Sequence, residues 1–166
     1  MAIVRLDKLQ AVKAGNIVSF RNDTGNDFDN GLVFELGDLV GTARELYDIV
    51  IPTNVDTQEI LIHATPEVMY QVENNGLADF SLADGATGRG YHMSVGDIIT
   101  VTEDIITDTE PLIVGNFLVA DAASYQLECL DADPGVAVNK FCAVIIEETT
   151  LGFDQEDAVA FRVIRV

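Results

Sequence analysis

The stretch FCAVIIEETTLGFDQEDAVAFRVIRV, residues 141–166, decides the fold class of this chain. It holds two apolar runs, FCAVIIEET and AVAFRVIRV, which are short and rich in β-branched residues, as strands are. In the second run Phe161 and Val163 would share one face of a strand, because side chains alternate along it. Arg162 and Ile164 would share the other face. The chain is therefore predicted to end in two strands.

The rest of the chain continues this pattern. Short apolar runs recur at spacings of roughly 8–15 residues, which is typical of an antiparallel barrel or sandwich. Gly, Asp, Asn or Pro separates the runs, and these residues favour turns. The clearest runs are GLVFELGDLV (31–40), ELYDIVIP (45–52), EILIHATP (59–66), YHMSVGDIITVT (91–102) and PLIVGNFLVADAASYQLECLDA (111–132).

Two turns are predicted inside these runs. Gly96-Asp97 favours a tight turn between strands at 91–95 and 98–102. In the last run, two apolar segments are joined at 120–124. We predict a mainly β protein, an antiparallel β-barrel or β-sandwich with one or two short helices and an extended N-terminal arm.

Helical signals are few. Thr65 followed by Pro66 suits a helix N-terminus, and an apolar stripe follows it until Asn-Asn-Gly at 74–76 would end the helix. The apolar spacing within residues 5–12 makes that segment the second helical candidate, with packing as an irregular arm as the alternative. Neither pattern is long enough to change the predicted fold class.

The chain is strongly acidic. Its 166 residues include 28 Asp and Glu against 9 Lys and Arg, a formal net charge of -19. Such a charge repels phosphate backbones and anionic lipid surfaces, so binding to nucleic acid or to a membrane is not expected. The N-terminus shows no signal-peptide pattern, and no apolar run approaches the ~20 residues of a membrane span.

Positive charge is concentrated at one end of the chain. Residues 1–21 carry four basic side chains and one acidic side chain, a formal charge of +3, and the remainder carries a formal charge of −22. We therefore divide the chain into a basic N-terminal arm at 1–21 and a single acidic β-rich domain at 22–166. Two interpretations of the arm stay open. It docks on an acidic partner, or its charges balance those of the protein's own body.

No residue pattern points to catalysis. His63 and His92 are the only histidines, and neither lies in a Ser or Cys nucleophile motif. His63, in ILIHATP, is expected to be a partly buried residue at a strand end. The glycine-rich segment 85–90 lacks the strand-before, helix-after context of a phosphate loop and is expected to be a loop that closes onto a strand. We expect no enzymatic activity and no cofactor.

Metal-binding patterns are equally weak. The acidic loop at 22–31 offers oxygen ligands, but the spacing of an EF-hand fails there, and Asp133 before a Pro-Gly pair suits a turn. No zinc motif is present, and Cys129 and Cys142 are expected to be buried free thiols. We expect no metal. A β-rich domain that recognises carbohydrate or Ca²⁺ through acidic loops stays open as the alternative function.

Five stretches together resemble one protein family. They are VRLDKLQAVKAGNI (4–17), ILIHATPEVMYQ (60–71), RGYHMSVGDIITVTED (89–104), VGNFLVADAASYQLECL (114–130) and FCAVIIEETTLGFDQEDAVAFRVIRV (141–166). Their order and spacing, over nearly the whole chain, are similar to those of the small head decoration, or capsid cement, proteins that tailed bacteriophages encode beside their major head protein.

The resemblance implies a non-enzymatic virion protein, made in the host cytoplasm and located on the outer capsid surface. It would bind the major capsid protein of the same phage and clamp neighbouring subunits of the shell. A homo-oligomer is expected, with a homotrimer as the hypothesis.

The resemblance also implies that the basic arm makes the capsid contact. The basic members would steer the arm toward acidic shell patches, and the apolar members would supply buried contact. The expected capsid-binding residues are Arg5, Leu6, Lys8, Leu9, Val12 and Lys13.

Overall fold

A computed structural model describes residues 2–8, 16–66, 80–107, 109–152 and 154–166. In chain order these residues form the strands β1 (Val4–Lys8), β2 (Ile17–Arg21), β3 (Val33–Leu39), β4 (Leu46–Val50), β5 (Leu61–His63), β6 (Thr87–His92), β7 (Ile98–Thr102), β8 (Ile106–Thr107), β9 (Phe117–Ala120), β10 (Leu127–Leu130), β11 (Cys142–Leu151) and β12 (Glu156–Arg165). The only helix within these residues is a single 3₁₀ turn at Glu103–Ile105.

Five of the strands close into a barrel in the order β2, β4, β3, β5, β6. Neighbouring strands are antiparallel except β2 and β4, which run parallel. The interior is aromatic: Phe20, Phe28 and Phe34 are buried, with ring centroids 4.7, 5.9 and 6.3 Å apart. Closure removes the sheet edges, so every barrel strand has two neighbours.

Two glycines of β6 make room for these rings. A Cβ atom on Gly90 would lie 2.5 Å from Cζ of Phe34, and one on Gly88 would lie 2.6 Å from Cζ of Phe20. These distances are far inside van der Waals contact, so β6 passes over the rings only because both positions lack side chains. From Thr87 onward the glycine-rich segment is therefore a strand rather than the predicted loop.

The other seven strands form an open sheet in the order β1, β7, β12, β11, β9, β10, β8. Its longest pair is β11 and β12, the antiparallel hairpin formed by the final stretch of the chain. One face of the sheet is buried. Ile99, Phe161 and Ile145 lie in register across three of its strands, and each is at most 1% exposed.

The barrel packs against the buried face of the open sheet. Val33 and Ile62 of the barrel belong to the same buried cluster as Val101 and Ile105 of the sheet side. The backbone N–H of Val33 also donates to the carbonyl of Tyr125 at 2.8 Å. Full burial of each such apolar side chain contributes about 1.5–3 kcal/mol, so the shared cluster couples the two sheets energetically.

Most of the predicted strands are confirmed. The runs at 31–40, 45–52 and 59–66 contain β3, β4 and β5, and β4 ends two residues before Pro52. Segments β9 and β10 pair with each other, as the predicted connection at 120–124 implies. The predicted fold class, mainly β with a barrel, is confirmed as well.

The predicted turn at Gly96-Asp97 exists, but the strands beside it are not partners. Gly96 has a φ of 95°, and the N–H of Asp97 donates to the carbonyl of Ser94. However, β6 lies in the barrel and β7 in the open sheet. Gly96 N–H donates to the carbonyl of Val163, and Val163 N–H donates to that of Asp97, so the turn is held against β12. The chain crosses between the two sheets here.

The helix predicted within residues 5–12 is wrong for its described part, because Val4–Lys8 is strand β1. Val4 and Leu6 pack against the core, whereas Arg5 is exposed, so the alternation with period two decides the conformation. The other helix candidate continues into residues 67–79, which lie outside the described residues, as do residues 9–12.

The described residues of the predicted N-terminal arm lie within the two sheets. β1 pairs with β7 at the edge of the open sheet, and β2 is a barrel strand that carries the buried Phe20. Ile3 is buried against Leu151 and Ala158. The described part of this segment is therefore packed against the protein's own body through several apolar side chains.

Candidate functional site

Arg5, the first of the predicted capsid-binding residues, lies on the outward face of the open sheet. Its side chain is 52% exposed, and its Nε donates to Oδ1 of Asp7 at 2.5 Å. Its Nη2 donates to Oγ1 of Thr100 at 3.4 Å, and that hydroxyl donates to Oδ2 of Asp7. This network holds Arg5 against the neighbouring strand and places an acidic partner beside its charge.

The other predicted residues are divided by the structure. Leu6 is partly buried and packs against the protein's own core. Lys8 occupies the last position of β1, opposite Ile98 of β7. Three more predicted residues lie outside the described part of the chain: Leu9, Val12 and Lys13.

The outward face of the open sheet carries a row of apolar side chains interrupted by one arginine. Cross-strand pairing places its members side by side on β7, β12, β11, β9 and β10. We call these residues the outer row: Ile98, Arg162, Val144, Phe117 and Leu130. Because neighbouring strands lie about 4.8 Å apart, the row spans roughly 19 Å. Every member remains partly or well exposed.

Arg162 is the exposed cation of the outer row. Its register partners are Ile98 and Val144, and Ile164, 37% exposed, lies two residues along on the same face. Glu147 of β11 lies opposite Ala160 of β12 and forms no ion pair with Arg162. Among the described residues no other carboxylate pairs with Arg162 either, so its charge is unneutralised on a molecule whose net charge is -19.

Sequence reasoning did not find the outer row as a site. The alternation in the final run does place Arg162 and Ile164 on the face opposite Phe161, and the structure agrees. The missing signal is the register between strands. It brings positions 98, 117, 130, 144 and 162, which are far apart in the chain, onto one line.

His63 has a structural environment rather than a catalytic one. It lies at the end of β5 and is completely buried in the barrel, so its strand-end position is as predicted and its burial is greater. The rings of Phe20 and Phe28 pack against the imidazole, with their centroids 5.1 and 5.2 Å from its own. Burial lowers the pKa of His63 to about 4, and its hydrogen bond to the Asp29 carbonyl opposes only part of that shift.

Hydrogen bonds assign the tautomer of this imidazole. Nδ1 lies 2.8 Å from the carbonyl oxygen of Asp29, which can only accept, so Nδ1 carries the proton. Nε2 therefore accepts from the hydroxyl of Thr65 at 2.7 Å, and that hydroxyl oxygen accepts the backbone N–H of Arg89. Both ring nitrogens are used in joining β5 to its neighbours, and His63 is neutral at pH 7.

Two carboxylates, one within the loop at 22–31 and one beside it, form hydrogen bonds that hold the loop. Asp84 Oδ1 accepts the N–H of Gly25 at 2.9 Å, and Asp27 Oδ2 accepts the hydroxyl of Ser81 at 3.3 Å. Among the described residues, no three or more His, Cys, Asp and Glu side chains are grouped so that they could hold a metal ion.

Asp133 and Arg165 join the loop before β11 to the end of β12. Nη1 and Nη2 of Arg165 donate to the two carboxylate oxygens at 2.9 and 2.8 Å. This paired contact, together with the N–H of Gly135, lowers the pKa of Asp133 to about 2. The neighbouring Cys142 and the more distant Cys129 are buried free thiols, as predicted, and burial raises the pKa of Cys142 to about 11.

Compared with models of known protein families, the chain matches none, and a search of curated proteins finds no match. Helices able to cross a lipid bilayer, by length and apolar character, are not found in the described part of the chain.

Proposed function

We propose that this protein binds the outside of a bacteriophage capsid and stabilises the shell by clamping neighbouring major capsid subunits. The likeness of five sequence stretches to head decoration proteins suggests this role. The observation that carries it is the placement of basic residues: positions 5 and 8 of β1 and position 162 of β12 are basic and lie close together at one end of the open sheet, on an otherwise acidic molecule.

Three basic residues make up this end of the sheet. Arg5 and Lys8 belong to the edge strand β1, and Arg162 lies two strands away on β12, in line with Lys8 through Ile98. The chain has only nine basic side chains against 28 acidic ones, and because Asp7 pairs with Arg5, the exposed positive charge of this region comes mainly from Arg162, which has no ion-pair partner among the described residues. Such a region favours an acidic partner surface and orients the acidic remainder away from it.

A clamp of this kind requires contact area and complementary shape, not a catalytic group. Many copies on one shell make weak single contacts effective, and a homo-oligomer such as a trimer would add to that effect. The acidic remainder of the molecule would face solvent and keep particles mutually repulsive. These properties agree with the coupled two-sheet architecture, which presents a broad, rigid face.

The direct test is cosedimentation of the full chain with expanded heads of the phage that encodes it, prepared without this protein. We expect saturable binding and a higher temperature of DNA release from the decorated heads. Unexpanded precursor shells and a second acidic protein of similar size serve as controls. If binding to expanded heads is not saturable, or if bound protein leaves head stability unchanged, the clamp role is wrong.

The structure also determines which variants suit that assay. Removal of residues 1–15 would take away β1 and with it Ile3 and Leu6, both of which contact the protein's own core. Loss of binding by such a truncation would therefore report loss of folding as well as loss of contact. Substitutions of exposed side chains on intact strands separate the two effects.

A further inference from the structure

We infer that the outer row is the surface on which the shell docks, and that the shell presents a carboxylate to Arg162 within an apolar surround. This inference rests on the proposed function and names the surface and the partner chemistry that the function requires. It moves the contact from the apolar residues of the predicted arm to the middle of the open sheet.

The contrast between the two faces of the sheet is the first argument. On the inner face, Ile99, Phe161 and Ile145 are covered by the barrel and by the rest of the shared core. A neighbouring residue along each of these strands points to the outer face. There Ile98 and Val144 lie on either side of Arg162, and both are partly exposed. Partly exposed apolar side chains in one continuous row mark interaction surfaces.

Charge is the second argument. Arg5 already has Asp7 as an ion-pair partner, so its charge is largely satisfied within the molecule. Arg162 has none among the described residues, and its two register neighbours are apolar. A guanidinium in such a setting gains most from a carboxylate that is desolvated with it, because exclusion of water strengthens the pairing. The complementary surface is therefore apolar with an acidic residue at its centre.

The shape of the row is the third argument. Five neighbouring strands place its members along roughly 19 Å, a length suited to one face of a folded partner rather than to a small ligand. Ile164 extends the same face along β12 and widens the patch. Arginine and aromatic residues such as Arg162 and Phe117 are also the residue types enriched in the cores of protein interfaces.

The experiment compares charge changes on and off the row in the head-binding assay. Arg162→Glu reverses the central charge, and Arg44→Glu makes the same change at an exposed position between β3 and β4 of the barrel. We expect Arg162→Glu to weaken binding at least about tenfold. Arg44→Glu should bind within about twofold of the wild type, and both proteins should keep the wild-type circular dichroism and melting temperature.

A second matched pair covers the apolar part and protects against a folding failure of the first variant. Ile164→Glu places an acid beside the row, on the same face of β12, whereas Val50→Glu places one on the barrel, where the replaced side chain is 43% exposed. We expect only Ile164→Glu to weaken binding. The binding of the wild type should also fall as ionic strength rises, more steeply than that of Arg162→Gln.

The outcomes separate the inference from the function on which it rests. If Arg162→Glu and Ile164→Glu both bind with wild-type affinity, the docking surface is wrong and the clamp role stands. Absence of wild-type binding overturns the clamp role and the inference together. If the purified protein instead self-associates and the row variants dissociate it without changing head binding, a second copy covers the row, and the inference is also wrong.

Discussion

The barrel and the open sheet use similar strands for different purposes. The barrel has no edges, and its interior is filled by phenylalanine rings and one neutral histidine. The open sheet has two edges and buries one face against the barrel, and on its other face the outer row remains partly or well exposed. Because the two share a core through residues such as Val33 and Val101, the barrel stabilises the sheet that presents the outer row. The barrel thus supplies buried packing, and the open sheet carries the exposed row that we propose for docking.

The largest expected effect separates inside from outside with one residue type. Phe34→Ala removes a ring that is fully buried in the barrel, and we expect it to lower the free energy of unfolding by about 3–5 kcal/mol. Phe117→Ala, in the partly exposed outer row, should cost about 1–2 kcal/mol. Urea unfolding followed by circular dichroism measures both. Equal losses of unfolding free energy in the two variants would contradict the assignment of the outer row to a face that no other part of the protein covers.

The next effect is a loss of stability in acid that originates in the barrel. His63 is neutral in the folded protein down to a pKa of about 4, whereas in the unfolded chain it binds a proton near pH 6.5. The titration of His63 therefore costs no stability above about pH 6.5. As pH falls from 6.5 to 4, the unfolded chain binds a proton at His63 that the folded protein does not bind, so the free energy of unfolding falls. Below pH 4 both states bind this proton, and this loss levels off. The expected loss in this window is roughly 3 kcal/mol.

Unfolding titrations of three proteins across this window isolate the contribution. His63→Gln should be less stable at pH 7 but should lose much less stability between pH 6.5 and 4. His92→Gln, which removes an imidazole paired with Glu59 near the surface, is the matched control and should keep most of the wild-type dependence. The pKa of Asp133 is also lowered, from 3.8 to about 2, so the stability it supports is lost as pH falls from 3.8 to about 2, below this window. If His63→Gln loses as much unfolding free energy between pH 6.5 and 4 as the wild type, the loss does not come from His63.

The smallest expected effect concerns the close approach of β6 to the barrel rings. Gly90→Ala would place a Cβ atom 2.5 Å from the ring of Phe34, and we expect it to cost about 1–3 kcal/mol through overpacking. The double variant Gly90→Ala/Phe34→Leu should lose less unfolding free energy than the sum of the two single losses, because the smaller side chain relieves the overlap. Strict additivity in a double-mutant cycle would show that Gly90 is required for another reason.

The local pattern of the sequence predicts the strands well. Alternation in the final run separates Phe161 and Val163 from Arg162 and Ile164, and the structure buries the first pair and exposes the second. The segment at 5–12 shows the limit of such reasoning. Its apolar spacing suits a helix over two turns, and only contact with the core shows that Val4 and Leu6 alternate on a strand.

The candidate site was less accessible to sequence reasoning than the fold. The charge distribution pointed to the N-terminal segment, and Arg5 does lie on the outward face. Leu6, however, packs into the protein's own core, and Arg162 supplies the unpaired charge. No local feature distinguishes Arg162 from other exposed basic residues such as Arg44, because its significance comes from neighbours on other strands.

The sequence by itself determined that this protein is acidic and built from strands, and which side chains of each strand share a face. These properties depend on composition and on the two-residue period of a strand, both of which are local. Only the tertiary structure decided that the turn at Gly96 separates two sheets, that His63 is sealed between phenylalanine rings, and that five distant positions form the outer row. Cross-strand register and the pairing of sheets depend on long-range packing, in which every strand must satisfy its neighbours at once.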